Sequence, residues 1–585
     1  KGGVTSSYKI TFIGNTVNLK DIVAEDKLET LDWLDNFSLT YSSDKVREAL
    51  QTGVDFTFNE NVYPKAIVAP LLTNTTRLFY DSAATPPDEY PAYPNEQGGN
   101  LYVQPTYDAN THSGVYYEEL KYAIRIHLIV KAIEQEYGLV FSEDFFNESN
   151  LEYYNLYMWL HRDKGRTFEG DSITTLAKGF RLEDSVRSKM LSDKLLVFLG
   201  TITGGQNTPL NYALQINTSA AATFKVTIKK DGATYKSTTA ENVSSVQLTG
   251  ILQSSSTGYK VYIESDDIFT FTATWTISDP YTSASDVYVT STPSISVNVE
   301  RNFIITDNTP NMKMIDFLNG LFKTFNLTAY EKDGIIYVDT LDRYYAASTN
   351  VWELDKHIDS KDEVVDNALP FQEIDFKYKG VKTFLAAKHT NLFSQEWGEL
   401  EYTSEDGFND ASPNIYTVEL PFEHVKYERL LDNADKSNTT VLYGWFADDK
   451  GSSYIGEPLI FYPVQNSGTE IQFLNNENYI DANSRSIIDT YNVPSNSLSL
   501  DSAVSTSNLN FYLQANEYTF TPAFSGTLFA KYYRTYIRNV FDIRNRLTKL
   551  TAKLPLNFLL KFQLNDKIRF RGNYYKINSI TSDLL

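Results

Sequence analysis

The chain has 585 residues, of which 42% are hydrophobic and 22% charged, the composition of a folded globular protein and not of a disordered one. Its 74 acidic residues against 52 basic ones give a formal charge of −22, so it lacks the basic footprint with which nucleic-acid readers displace counterions from phosphates. With no cysteine, disulfides, thiol nucleophiles and thiolate metal sites are excluded.

At roughly 150 residues per domain, the length suggests about four domains. Forty-one Tyr and 35 Phe against 6 Trp favour strands and half-buried packed surfaces. The negative balance suits a conduit along which DNA slides without sticking, and it equally suits an ordinary soluble protein. The longest apolar stretch, near Leu195–Leu199, is far too short to span a bilayer. Lys1-Gly2-Gly3-Val4 offers no apolar signal core.

Residues 8–80 read as strands and short loops. Tyr8-Lys9-Ile10-Thr11-Phe12-Ile13 alternates before a Gly14-Asn15 turn, and Val54-Asp55-Phe56-Thr57-Phe58 alternates again. Residues 82–114 carry Pro86-Pro87, Pro91, Pro94 and Gly98-Gly99, which mark an exposed loop. From Tyr117 to Tyr137, Leu120, Ala123, Ile124, Leu128, Ala132 and Ile133 recur near helical spacing, and Gly138 is a stop signal. A second helical run covers about Leu151–Leu160.

The composition changes at Thr201-Ile202-Thr203-Gly204-Gly205. From there to about Val299 the chain is Ser/Thr-rich, with alternating runs at Phe224–Ile228 and Tyr259–Ile263 and a hairpin signal at Asp231-Gly232. No Arg occurs between Ser188 and Glu300. This stretch reads as an inserted β-sandwich.

Helical periodicity returns at Met312–Phe325, followed by Leu327–Tyr330, a Lys332-Asp333-Gly334 turn and Ile335–Val338. The earlier helix ends similarly, in Tyr137-Gly138-Leu139-Val140-Phe141, so the two read as a divergent duplication of a helix-plus-strand unit. Residues 432–520 form another polar β-rich stretch, with a turn at Asp448–Ser452 and a buried-strand candidate at Pro458–Tyr462. A helix over Leu528–Phe541 precedes Ile568-Arg569-Phe570, an Arg571-Gly572-Asn573 turn and Tyr574–Ile577, which reads as the closing hairpin of a small barrel.

Tests for chemistry fail one after another. His161-Arg162-Asp163 spells the kinase catalytic triplet, but the position five residues after the Asp holds Phe168 in place of the metal-binding Asn. The triplet reads as a polar helix end. The six histidines are His112, His127, His161, His357, His389 and His424, with no two within ten residues, so no local metal motif exists. His127 reads as a packed or partly exposed helix residue. Asp432, Asp435 and Asn438 lack EF-hand spacing and read as a solvated loop. Glu118-Glu119 and Glu143-Asp144 read as helix-start or surface charges. Paired carboxylates for glycoside cleavage are a matter of geometry alone. No catalytic, cofactor-binding or metal residue is assigned.

Five stretches carry a resemblance: Val17-Asn18-Leu19-Lys20-Asp21 with Asp26-Lys27-Leu28; Tyr137 to Phe146; Asn155 to Gly165; Ile315 to Tyr330; and Leu554 to Ile580. They are similar to the tail hub, or baseplate hub, proteins of tailed phages that infect Bacteroidetes. They skip 203–300 and much of 435–515. The resemblance implies a trimer in which each subunit contributes two related β-barrels, giving a ring of six that mates with a six-fold tail tube and a three-fold tip.

The expected fold is β-rich α+β and multidomain, with small β-barrels and packed helices plus inserted β-sandwich domains. The expected parts are an N-terminal β-rich hub domain over 1–115 and the helical part of the hub core over 116–202. The inserted sandwich over 203–300 and a second hub domain over 301–431 follow. A β-rich insertion over 432–520 and a C-terminal helix with a small barrel segment over 521–585 complete the chain. The expected function is that of a non-enzymatic structural virion protein, assembled in the host cytoplasm. It would join tail tube to tip as a homotrimer and line the DNA passage, in contact with distal tail proteins, the tape measure and tail fibres. No cofactor and no membrane span are expected. The alternatives are a receptor-binding or adhesin-like tail protein that binds glycans through its inserted domains, and a tail-associated glycosidase.

Overall fold

The structure, a computed structural model, describes residues 19–82, 100–101, 114–162 and 301–577, apart from 349, 368–370, 404–413, 476–484, 501–506, 513, 515–516, 521–525, 542–545, 555–557 and 559–560; within 163–300 it describes the strands named below. The chain is β-rich α+β and multidomain. It divides into a larger unit (Lys1–Leu39, Ser43–Glu169 and Phe303–Leu585) and a smaller one (Thr40–Ser42 and Gly170–Asn302).

After short helical turns at Leu19–Val23, Leu28–Thr30 and Asp32–Phe37, the larger unit forms α1 (Ser43–Gln51), whose Val46, Ala49 and Leu50 are buried at helical spacing. Strands β1 (Val54–Phe58) and β2 (Asn61–Val68) form a hairpin. Its turn residues Asn59 and Glu60 both take positive φ, 49° and 65°, which matches the twist of the flanking strands. Strands β3 (Leu72–Thr73), β4 (Val115–Tyr116) and β5 (Ala123–Arg125) precede α2 (Ile126–Tyr137). Gly138 closes α2 in the left-handed conformation, its N–H bonded to the Glu134 carbonyl. The short helix α3 (Leu151–Tyr154) leads into β6 (Tyr157–Trp159).

Three expectations are corrected here. The helix expected over Tyr117–Tyr137 starts only at Ile126, and the run Leu151–Leu160 is half strand. The reason is shared. Strands β5 and β6 are buried along their whole length, and a short apolar run cannot be told from a buried helix by periodicity. The stretch 8–80, read as strands and loops, also contains α1. Tyr8–Ile13 and all but residues 82, 100–101 and 114 of the 82–114 loop lie outside the described residues.

The smaller unit holds β7 (Lys178–Gly179), β8 (Ser188–Leu191), β9 (Leu195–Phe198), β10 (Leu210–Lys230), β11 (Ala233–Leu252), β12 (Tyr259–Ser265), β13 (Phe269–Ser278), β14 (Val287–Ser291) and β15 (Ile295–Val297) in one sheet. It therefore takes in β7–β9, which lie before the Ser/Thr-rich stretch begins. Strand β10 pairs with β11 on one edge from Leu210 to Lys230, with a break between Asn217 and Ala222. On the other it pairs with β13 over Asn211–Thr218 and with β12 over Phe224–Lys230. The change of partner coincides with register shifts between Asn217 and Phe224, where bulges bend a strand. Inward residues Leu214, Ile216, Val226 and Ile228 of β10 meet Ile263, Phe271 and Trp275 in one core. Asp231-Gly232 lies outside the described residues, between paired Lys230 and Ala233.

The larger unit resumes with α4 (Met314–Phe325), ended by Asn326 at φ 49°. A hairpin follows, β16 (Leu327–Lys332) and β17 (Ile335–Thr340), with Asp333 and Gly334 at φ 55° and 79°. Next come α5 (Leu341–Ala347), β18 (Val351–Glu353), β19 (Phe371–Gly380), α6 (Phe384–Phe393), β20 (Leu400–Thr403) and β21 (Asn414–Glu423). Strands β22 (Asn438–Trp445), β23 (Ile460–Leu474) and β24 (Arg485–Ser495) precede a π turn at Phe529–Tyr533 that opens α7 (Arg534–Phe541). The chain closes on β25 (Lys567–Phe570) and β26 (Asn573–Lys576), a hairpin that joins β18 in a three-stranded sheet.

The main sheet runs β1-β2-β5-β6-β23-β24, with β4 added to β23. Ile67 pairs with Ile124, Ile124 with Met158 and Met158 with Ile460, all buried. The stretch 432–520 is thus no separate body, because β23 lies inside the sheet and β22 pairs with β3. Among the described residues β1 and β24 do not pair, so this sheet is open. No helix among the described residues is long and apolar enough to cross a membrane.

Candidate functional site: buried polar clusters of the larger unit

Five of the residues considered for chemistry, His127, His161, His424, Glu119 and Asp432, are buried. His161 follows β6 and is 2% exposed, so it is no polar helix end. Its ring stacks on Trp159 at 4.7 Å. Nδ1 lies 3.0 Å from the Trp159 carbonyl and Nε2 3.1 Å from that of Glu457. Burial, helped by Lys121, pushes its pKa down to about 4. His127 is buried in α2 with Nδ1 3.2 Å from the Tyr153 hydroxyl. Burial and the cations Lys131 and Arg125 push it down to about 4. His424 lies flat on Tyr378 at 4.1 Å, with Nε2 2.6 Å from Asn510 Oδ1, and burial pushes it down to about 4. His389 packs on Trp397, and His357 is half-buried. His112, Asp163 and Phe168 lie outside the described residues.

Two carboxylates read as surface charge turn inward. Glu119 is 3% exposed and accepts from the Thr75 and Thr76 hydroxyls. Asp432 is 6% exposed and accepts from the N–H groups of Ser82 and Ala434, at 3.0 and 2.9 Å. A buried acceptor needs donors, and these supply them. Glu118 is half-buried, and Glu143 and Asp144 are exposed.

Spacing and composition offer no sign of two deeply buried carboxylates, Glu423 and Asp566, or of the half-buried Glu152. Glu423, 1% exposed, ends β21. It accepts from the N–H groups of Lys382 and Glu457 (3.2 and 3.1 Å) and from the Tyr454 hydroxyl (2.8 Å). Burial raises its pKa, and those bonds oppose the rise. Glu152 of α3 accepts from Lys531 and Tyr532. Burial pushes its pKa up, but these bonds outweigh it and hold the carboxyl below its ordinary value. Asp566, 1% exposed, accepts from Ser348, Asn350, Trp352 and the Gln563 N–H.

Arg125 was equally hidden. It is 5% exposed, donates to the carbonyls of Tyr154, Pro64 and Lys65, and lies 4.2 and 4.8 Å from the Tyr154 and Tyr157 rings. Three carbonyls and two ring faces offset the cost of burying its charge.

The buried groups His127, His161, His424, Glu119, Asp432, Glu423, Asp566 and Arg125 each bond to another segment of the chain, and the arrangement fastens those segments together. Among the described residues no group of three or more His, Asp or Glu side chains is placed to hold a metal ion. No protein-family model matches the chain, and no curated protein matches it.

Proposed function

We propose that the chain is a structural protein of a phage tail, a trimeric hub that joins the tail tube to the tip or baseplate and surrounds the DNA passage. One observation carries the reading. The larger unit twice builds a twelve-residue helix, a left-handed stop and an extended segment, at α2–Gly138 and at α4–Asn326. The two segments then meet on one strand. Strand β16 pairs with β17 antiparallel. Phe141 bridges Ile336 in parallel, with Ser142 N–H to Ile336 O at 2.7 Å and Ile336 N–H to Val140 O at 2.8 Å. Two related modules per subunit would let three subunits present six similar positions, as a six-fold to three-fold adaptor needs. The resemblance in 137–146 and 315–330 falls on these modules, and the −22 charge suits a lumen that repels DNA. Light scattering of the purified chain should give a trimer, and electron microscopy of assembled tails should place it at the tube–tip junction. A chain that stays monomeric, or density elsewhere in the tail, overturns the reading.

A second reading, receptor binding, draws on the smaller unit, which has its own core and a largely exposed, Thr- and Ser-rich β11. Binding of the whole chain on a glycan array, lost on deletion of 170–302, would favour it.

A further inference from the structure

We propose, resting on the trimeric reading above, that the copies are joined by strand addition: the two-stranded ribbon of Ile358–Asn367 and Arg546–Ala552 in one copy is extended at each edge by the ribbon of a neighbouring copy. The surface is this ribbon, and the partner is a second copy of the chain.

The two strands belong to the larger unit and pair antiparallel, from Ile358 with Ala552 to Asn367 with Arg546, with a bulge between Asp359 and Val364. Among the described residues they pair with no third strand. Arg571, in the turn between β25 and β26, fastens the ribbon by donating to Glu363 at 2.9 Å. Val364 and Val365 are consecutive in a strand and so point to opposite faces. They are 48% and 53% exposed, so both faces are open at this point. On the other strand Leu547 and Leu550 are only half-buried. A two-stranded ribbon with open faces is marginal in water, and its unpaired edges are templates for a further strand.

Charge selects the occupant. In sequence, Ile358–Asn367 contains Asp359, Asp362, Glu363 and Asp366 against Lys361, whereas Arg546–Ala552 contains Arg546 and Lys549 and no acid. Each copy therefore offers one acidic strand and one basic strand as its two edges. Like charges placed opposite each other across strands are unfavourable, so two ribbons meeting by like edges are disfavoured. Head-to-tail meeting repeats between copies the ladder already formed within each one. Such contacts close into a ring when the rotation allows. Three ribbons then give a ring of strands that alternate in direction and in charge, with no edge left over. One face of each ribbon turns inward, and one valine of the Val364–Val365 pair from every copy packs there.

Light scattering of the full chain, with and without the double substitution Val364→Asp and Val365→Asp, reads the assembly. Both valines are exposed in the single copy, so the variant should keep the parent's circular dichroism while its association weakens at least about ten-fold. The absence of cysteine allows a second measurement. Chains carrying only Val365→Cys are mixed with chains carrying only Thr548→Cys, positions that face each other in the ladder, and treated with a short bismaleimide. Links between unlike chains should outnumber links between like chains. A trimer that the double variant leaves intact, or one in which unlike links are not in excess, overturns the ribbon contact and leaves the tail reading standing. A monomeric parent removes both. A parent trimer whose amides over 358–367 and 546–552 gain hydrogen-exchange protection only when another tail protein is added gives the edges to that protein, and also overturns the proposal.

Discussion

The indole N–H of Trp352 donates to the Asp566 carboxylate at 2.8 Å, and the same carboxylate holds Ser348, Asn350 and the Gln563 backbone. One acidic group thus binds β18 to the turn that precedes β25. Asp566→Ala would leave these donors buried without an acceptor, at a cost of about 2–4 kcal/mol. Asp566→Asn keeps one acceptor and should lose less. Urea unfolding checks the order, and a loss within about 0.5 kcal/mol for the Ala variant would refute it.

Gly320 lies in α4 where an added Cβ would be 2.7 Å from Phe422 Cζ and 3.0 Å from Pro421 Cγ. Alanine would gain about 1 kcal/mol of helix propensity, while overpacking a tight core costs about 1–3 kcal/mol. Gly320→Ala should therefore lower the melting temperature. A rise would show that β21 yields at this contact.

In the smaller unit Tyr212 pairs across strands with Gly250 and stacks on Trp275 at 5.1 Å. A Cβ at Gly250 would sit 2.8 Å from the Tyr212 ring. Gly250→Val should displace that ring and cost about 1–3 kcal/mol, read as an earlier transition of tryptophan fluorescence. An unchanged transition would mean that the ring slides aside freely.

Burial and the neighbouring Glu396 carboxyl push the Glu399 carboxyl up to about 8. Folded, it keeps a proton that the unfolded chain releases above 4.5, so its contribution is full below 4.5 and is lost as pH rises through 8. Glu399→Gln should match the parent near pH 4.5 and gain melting temperature steadily toward pH 8. Partial exposure screens the size of the gain. A pH-independent difference would contradict the raised Glu399 value.

What was legible in the sequence was local. The turns at Lys332-Asp333-Gly334 and Arg571-Gly572-Asn573 are there, with Asp333, Gly334, Arg571 and Gly572 all at positive φ. The alternation Phe224–Ile228 points the same residues inward that the core uses. The Gly138 stop is set by its own backbone. What failed depended on distant partners. Ala123–Arg125 is a strand because Ile67 and Met158 flank Ile124. Arg125 is buried because carbonyls at 64, 65 and 154 receive it. Glu423 looks like any surface glutamate until Tyr454 and the Glu457 N–H close over it. Neither composition nor spacing encodes such pairings.

The pairing of Met158 with Ile460 also sets an order of events during synthesis. Strand β6 leaves the ribosome roughly three hundred residues before β23, a wait of about 15–60 s at ordinary elongation rates. Strands β7 to β15 of the smaller unit emerge within that interval. The nascent chain therefore exposes the apolar edge at Tyr157–Trp159 throughout, and this segment is where a chaperone would be needed.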